Sequence, residues 1–312
     1  MRRSVVFSVA GAALGLAVVL TLAGVGDDPD ALTNGQALVL GVVQGLTELL
    51  PVSSSGHLIL VPWAAEWTYL EENDRFNQTF DVALHLGTLV AVGMYFWGDI
   101  LRLVRAFFAS IVRRKVETPD EKIAWFLLVA TLPAGFVGFV GADAIADHLG
   151  EPWQILVLLA AGALLLLWAD RTPATRAMGD LGLRHGVVMG LAQALALAPG
   201  VSRSGITITA GRFMGLDRDS AARSSFLLLV PTVLGAVLSE GLDNVVLGEL
   251  PAGWEGPFLV GTLAAAGSGL LAIQWLLDYV RRHTYGLFVV YRLVLAVIVL
   301  LVILAGARDA TF

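Results

Sequence analysis

Two sixteen-residue stretches of this chain are near copies of each other, and each is an apolar run broken by Pro and then by a Ser-rich turn. The first is Gly41 to Gly56, GVVQGLTELLPVSSSG, and the second is Gly190 to Gly205, GLAQALALAPGVSRSG. At a constant offset Gly41 pairs with Gly190, Gln44 with Gln193, Leu46 with Leu195, Ser53 with Ser202, Ser55 with Ser204 and Gly56 with Gly205. A helix needs about 20 apolar residues to cross a bilayer, with roughly 17 as the floor. Neither copy reaches that length before it breaks. Paired, interrupted apolar segments in the two halves of a membrane protein point to a binding site near the midplane.

The rest of the chain supplies the membrane setting. Only 15% of its 312 residues are charged and its mean hydropathy is +0.77, against roughly 25% charged in soluble domains. It has no cysteine, which excludes disulfides, thiolate catalysis and Cys-ligated metals. No basic patch interleaved with aromatics is present, so no nucleic-acid partner is expected. Seven stretches approach or reach spanning length: Val5–Gly24, Phe80–Trp97, Ile123–Ala142, Trp153–Ala169, Ser224–Ser239, Phe258–Leu277 and Tyr285–Gly306. The two copies fall short. Gln36–Leu50 stops at Pro51 and resumes as His57–Ala65; His185–Ala198 stops at Pro199 and resumes as Ile206–Gly215. Irregular backbone at membrane depth is tolerated only where it is buried in protein or lines a wet cavity. Both copies therefore read as re-entrant helical hairpins.

The charges agree. Lys and Arg favour short cytoplasmic loops. Arg2 and Arg3 place the N-terminus inside, and Asp27, Asp28, Asp30, Glu66, Glu71, Glu72 and Asp74 fall outside. The loop carrying Arg102, Arg105, Arg113, Arg114, Lys115 and Lys122 is inside; Asp143, Asp147 and Glu151 are outside; Arg171, Arg176 and Arg184 are inside. Glu240, Asp243, Glu249 and Glu255 are outside and Arg281 and Arg282 inside. Every loop obeys the rule if each hairpin returns to its own side, and the two copies then enter from opposite faces. The expected fold is an all-α polytopic membrane protein with an inverted-topology repeat, two re-entrant helical hairpins, about six core spans and one extra N-terminal hydrophobic helix. Residues 1–26 read as a signal-anchor helix, with a signal peptide as the alternative. Residues 27–312 form one membrane domain with repeat halves about 36–142 and 185–306.

The polar residues at the breaks carry the chemistry. Gln44 and Glu48 are four apart and share one helix face. A carboxylate at membrane depth costs about 2.5–3.5 kcal/mol, so Glu48 is a functional candidate unless it sits solvated at the interface. This oxygen-rich pair suits Mg or Ca. Ser53, Ser54, Ser55 and Gly56 let backbone N–H groups converge on an anion, and His57 beside them can act as base, acid or nucleophile. A Ser-rich turn capped by His57 is the plainer alternative. Ser202, Arg203, Ser204 and Thr207 form the second cluster. The Arg203 fork suits phosphate, and the start of the following helix adds to that attraction. A structural salt bridge from Arg203 to Glu48 is the other reading. Together these groups match the needs of phosphate-ester chemistry. Asp81 and His85 share a helix face with either a site or a structural role. Arg212 and Arg223 read as interfacial. Arg292 lies inside the last span and needs an internal partner. The small residues Gly261, Ala264, Ala265, Gly267 and Gly269 permit close packing within or between chains, so a homodimer is among the expectations.

The stretches QGLTELLPVSSSGHLIL and PGVSRSGITITAGRFMGL closely resemble the two signatures of the undecaprenyl-diphosphate phosphatase family, also called bacitracin-resistance proteins. The likeness runs from about residue 36 to the C-terminus and includes FDVALHLGT and SFLLLVP. The resemblance implies hydrolysis of a polyprenyl diphosphate lipid to the monophosphate, at a site open to the outer side of the plasma membrane. Carried over by position, Gln44 and Glu48 fall at the metal-associated motif, Ser54 at a serine proposed to be catalytic and His57 at the essential histidine. Ser202, Arg203 and Thr207 fall at phosphate-site positions. Gln44 stands where many members have Glu, and the N-terminal segment is additional to the usual pattern. A lipid-carrier transporter is the alternative, because broken helices in inverted repeats are typical of transporters.

Overall fold

The computed structural model describes residues 3–24, 31–67, 69–241 and 254–311. The topology markers Arg2, Asp27, Asp28, Asp30, Asp243 and Glu249 lie outside the described residues. Within them the chain is helical throughout, with no β-strand. Six helices are long and apolar enough to cross a membrane: Arg3–Leu22, Pro119–Gly141, Pro152–Asp170, Arg218–Leu238, Glu255–Val280 and Gly286–Leu304. These correspond to six of the seven expected stretches. The seventh, Phe80–Trp97, lies in a helix that qualifies only when counted together with the helix after it.

Two compact units divide the chain, one comprising residues 1–49, 57–95 and 232–275 and the other residues 50–56, 96–231 and 276–312. The first unit contains α1 (Arg3–Leu22), α2 (Asn34–Leu49), most of α3 (Ser54–Ala65), the short α4 (Tyr69–Glu72) and α5 (Asp74–Tyr95). It also holds most of a long helix, Glu255–Val280. Its core is aromatic: Phe76 and Phe80 each lie 5.4 Å from Phe258, with Leu40, Leu84 and Ala264 around them. The expected small-residue stripe sits on this long helix and is filled from within the chain. A Cβ on Gly41 would strike the Gly261 carbonyl and come 2.8 Å from Ala264, and one on Gly45 would overlap the Ser268 hydroxyl. A Cβ on Gly87 would come 2.8 Å from Ala265, and one on Gly267 would come 2.7 Å from Leu14. Close backbone approach thus replaces bulky side chains as the packing device, as expected where lipid tails offer no hydrophobic drive.

The second unit contains α6 (Trp97–Arg113), α7 (Pro119–His148), α8 (Pro152–Asp170), α9 (Leu183–Leu195) and α10 (Arg203–Phe213). The first half of α11 (Arg218–Gly241), the end of α12 (Glu255–Val280) and α13 (Gly286–Leu304) complete it. Helix α7 starts on a full signal: Pro119 at its first turn and a capping box between Thr118 and Glu121. Helix α9 seats its Gly190 against the Pro133 ring of α7, where a Cβ would come within 2.7 Å. At 13 and 11 residues, α9 and α10 fall far short of spanning length. The same holds for α2 and α3, at 16 and 12 residues.

Two expectations change. The stretch from Arg102 onward is not a loop but the helix α6, which ends at Arg114 in a left-handed residue at φ 54°. Arg212 is not a solvated surface group: only 3% exposed, it donates to the carbonyls of Thr172 at 2.5 Å, Asp170 at 3.2 Å and Leu216. The Asp170 carboxylate gathers Arg218 at 2.6 Å and the Tyr285 amide at 2.9 Å, so this basic end is a self-paired cluster. Arg223 is paired with Asp219 at 2.6 Å and lies 5.8 Å over the Phe96 ring.

Candidate active site

Each near-copy builds the same turn. Ser53 and Ser202, equivalent in the two stretches, are both held at positive φ, 78° and 75°. For a residue with a Cβ this conformation is strained and persists only where its surroundings enforce it. Each then caps the helix that follows. Gly56 N–H donates to Ser53 Oγ at 3.3 Å, and Gly205 N–H donates to Ser202 Oγ at 3.0 Å. The flanking hydroxyls repeat as well: Ser53 lies 3.5 Å from Ser55 and Ser202 lies 3.3 Å from Ser204.

Within the second unit the two turns are stitched together. Gly200 N–H donates to Ser53 Oγ at 3.2 Å, and the Ser204 hydroxyl donates to the Leu50 carbonyl at 2.9 Å. Gly200 itself has φ 101°, a conformation suited to glycine. A Cβ on Gly56 would lie 3.6 Å from Gly200 Cα, which shows how closely the two turns pass. Ser53, Ser55, Ser202 and Ser204 are therefore brought into one polar patch.

Arg203 opens α10 directly after this patch, and its Nη1 donates to the Ser225 carbonyl at 2.9 Å. Thr207, one turn on, is fully buried, with its hydroxyl 2.7 Å from the Arg203 carbonyl and 2.8 Å from the Ser225 hydroxyl. Thr207 thus fixes α10 to α11 behind Arg203. The partner that Arg292 needs is backbone. Its Nε donates to Leu159 O at 3.1 Å, and Nη2 lies within 3.2 Å of the carbonyls of Leu158, Gly200 and Val201. Its Nη1 has no hydrogen-bond partner among the described residues, and a Cβ on Gly205 would come 2.8 Å from it. A second guanidinium therefore lies under the start of α10, beside the Pro-Gly turn it clamps.

In the first unit, α2 presents Gln44 and Glu48 one turn apart, 0% and 4% exposed. Both polar atoms of the Gln44 amide lack a hydrogen-bond partner among the described residues. Buried amides left so cost about 1–3 kcal/mol per group, so this one calls for a partner such as water, an ion or a ligand. The equivalent Gln193 is used structurally, its Nε2 3.4 Å from the Ala130 carbonyl. Glu48 Oε2 lies 3.6 Å from His85 Nε2. His85 Nδ1 donates to the Asp81 carbonyl at 2.7 Å, so the ring presents Nε2 to the acid. In the sequence His85 reads equally as a site residue or a structural histidine, on the signal of a helix face shared with Asp81. Ser54 and His57 lie on α3 three residues apart, 8% and 7% exposed. The copies have also diverged by charge: Glu48 and His57 correspond to Leu197 and Ile206 in the second, and Arg203 corresponds to Ser54 in the first.

Among the described residues no three His, Cys, Asp or Glu side chains gather as a metal cluster. The orphaned Gln44 oxygen beside the Glu48 carboxylate does fit a hard cation that takes its other ligands from phosphate and water. A cavity of about 810 Å³ elsewhere in the second unit is lined by Asp170, Arg212, Arg218 and Arg281. Its charges answer one another rather than a ligand.

Short broken helices among longer spans, with polar turns at the breaks, define a multi-pass helical membrane protein with buried ionisable groups. The family described as Bacitracin resistance protein BacA matches residues 37–298, and the chain belongs to that family. It is 45% identical over 278 residues to the undecaprenyl-diphosphatase of Thermomicrobium roseum, covering 86% of this chain and 97% of that protein. The protein of the same name from Pelotomaculum thermopropionicum is 40% identical over 282 residues, 90% of this chain and 100% of the relative. That of Rubrobacter xylanophilus is 44% identical over 271 residues, 85% and 96% respectively.

Proposed function

We infer that this protein is an integral membrane hydrolase that converts undecaprenyl or another polyprenyl diphosphate to the monophosphate and inorganic phosphate. The observation that carries this is identity of 40–45% along almost the whole length of relatives named undecaprenyl-diphosphatase. The joined serine turns support it, since they set Arg203 at a helix start beside four hydroxyl-bearing positions. In this reading Arg203 binds the terminal phosphate, helped by Ser53, Ser55, Ser202, Ser204 and the α10 N-terminus. Thr207 holds Arg203 in place.

The reaction breaks the P–O bond between the two phosphoryl groups and adds the elements of water across it. Ser54 or His57 supplies the attacking oxygen or nitrogen, or takes the proton from water. Glu48 and Gln44 would hold a Mg or Ca ion, which offsets phosphate charge when bound. Charge stabilisation of this kind usually contributes more than any other effect to phosphoryl transfer. Arg292 positions the Gly200–Val201 turn. The site opens to the outer face of the plasma membrane, where the acidic loops lie by the charge rule.

The test is phosphate release from defined polyprenyl diphosphates in detergent micelles, where transport has no meaning, with and without chelator. Release that stops with chelator and returns with Mg or Ca is expected. Binding without release would mark a lipid carrier instead.

A further inference from the structure

Helix α6 (Trp97–Arg113) carries an exposed apolar stripe that the hydrolase chemistry leaves unused. Trp97, Val104, Phe108 and Ile111 are exposed along one side at helical spacing, with the half-buried Leu101 between them; Trp97 is 61% and Phe108 60% exposed. Leu103 and Ser110 are buried on another side. Asp99, Arg102, Arg105 and Arg113 make α6 too charged to qualify as a span by itself.

Its contacts show how it lies. Arg102 pairs with Asp120 at 3.1 Å and Arg113 pairs with Glu121. Between them, Ser110 accepts from Trp125 Nε1 at 2.9 Å and the Phe107 ring lies 5.0 Å from the Trp125 ring. About 16 Å of α6 separates Arg102 from Arg113 at 1.5 Å per residue. Their acidic partners are consecutive residues in the first turn of α7. Such contacts arise when one helix lies across the end of another. Residues 119–141 of α7 are long and apolar enough to span, so α6 crosses the end of a candidate span. Arg105, Arg114 and Lys122 are exposed and form no ion pair among the described residues, so cationic charge is left over beside the apolar stripe.

We propose that α6 lies in the membrane surface with its Trp97–Ile111 stripe among the acyl chains, and that Arg105, Arg114 and Lys122 bind anionic phospholipid headgroups of that leaflet. Guanidinium and ammonium groups at this depth meet lipid phosphates directly, and an apolar stripe beside them is the usual partner of such a surface.

The chain has no cysteine, so single labels in the full-length protein report without background. Spin labels at Val104→Cys, Phe108→Cys and Arg105→Cys are read in bilayers of phosphatidylcholine with phosphatidylglycerol. Labels at 104 and 108 should meet oxygen more than a water-soluble nickel chelate, and the label at 105 the reverse. Spin-labelled phosphatidylglycerol should associate with the protein in preference to spin-labelled phosphatidylcholine. The Arg105→Gln/Arg114→Gln/Lys122→Gln protein should lose that preference, by up to about fivefold per charge at low salt and less at high salt. Equal access of the chelate to 104, 105 and 108 overturns the proposal. So does an unchanged lipid preference in the triple variant, which would leave α6 to a protein partner.

Discussion

Ser53 Oγ accepts the amide of Gly200 at 3.2 Å across 147 residues of sequence. The same oxygen accepts the Gly56 amide at 3.3 Å, while the residue itself sits at φ 78°. One strained serine thus ties the first near-copy to the second. Ser53→Ala removes the acceptor for two buried amides and keeps the Cβ in a left-handed conformation. A loss of about 1–3 kcal/mol is expected. Ser53→Gly loses the same hydroxyl but removes strain of about 1 kcal/mol. Its unfolding midpoint in detergent should therefore lie above that of Ser53→Ala. The opposite order would mean that the left-handed backbone at position 53 carries no strain that glycine relieves.

Arg292 is fully buried and clamps four carbonyls with two of its nitrogens. A lysine has the charge but not the planar fork. Arg292→Lys and Arg292→Met should each lower stability by about 3 kcal/mol or more and abolish most phosphate release. Gly162→Ala should act in the same direction, because its Cβ would overlap Arg292 Nη2. Parallel melting and phosphate-release measurements check this, and normal values of both for Arg292→Lys would show that the clamp is dispensable.

Gln44 supplies a sharper separation of stability from activity. Its buried amide finds no partner among the described residues, so an apolar residue of similar size should raise the unfolding midpoint. Gln44→Leu is expected to be more stable and less active. Gln44→Glu adds a second carboxylate beside Glu48 and should shift activation to lower Mg or Ca concentration, read by titrating the cation back after chelation.

Much of this architecture is legible in the chain because hydropathy and length report spans directly. Six helices fall on expected stretches, and the breaks at Pro51 and Pro199 fall between α2 and α3 and between α9 and α10. The pairing of Ser53 with Ser202 also anticipates their matching turns. What the sequence hides is partnership with backbone. Arg292 and Arg212 bond to carbonyls, which have no side-chain signature, so the first lacked a partner and the second read as interfacial. Helix α6 hides for a related reason: its charges suggest a loop until the apolar residues between them are seen on one face. The small-residue stripe from Gly261 to Gly269 signals close packing without saying with what, and the first unit fills it from α1, α2 and α5. His85 reads as an ordinary helix histidine until its ring is placed 3.6 Å from Glu48.

The proposed hydrolysis gives Glu48, His57 and Arg203 each a direct role in the reaction. The decisive experiment is phosphate release from a defined polyprenyl diphosphate by Glu48→Ala, His57→Ala and Arg203→Ala, each shown folded by its melting curve. A fall of at least about 100-fold is expected in each, the scale set by loss of a single acid–base or charge-stabilising group. Near-normal release in all three folded variants would contradict those roles.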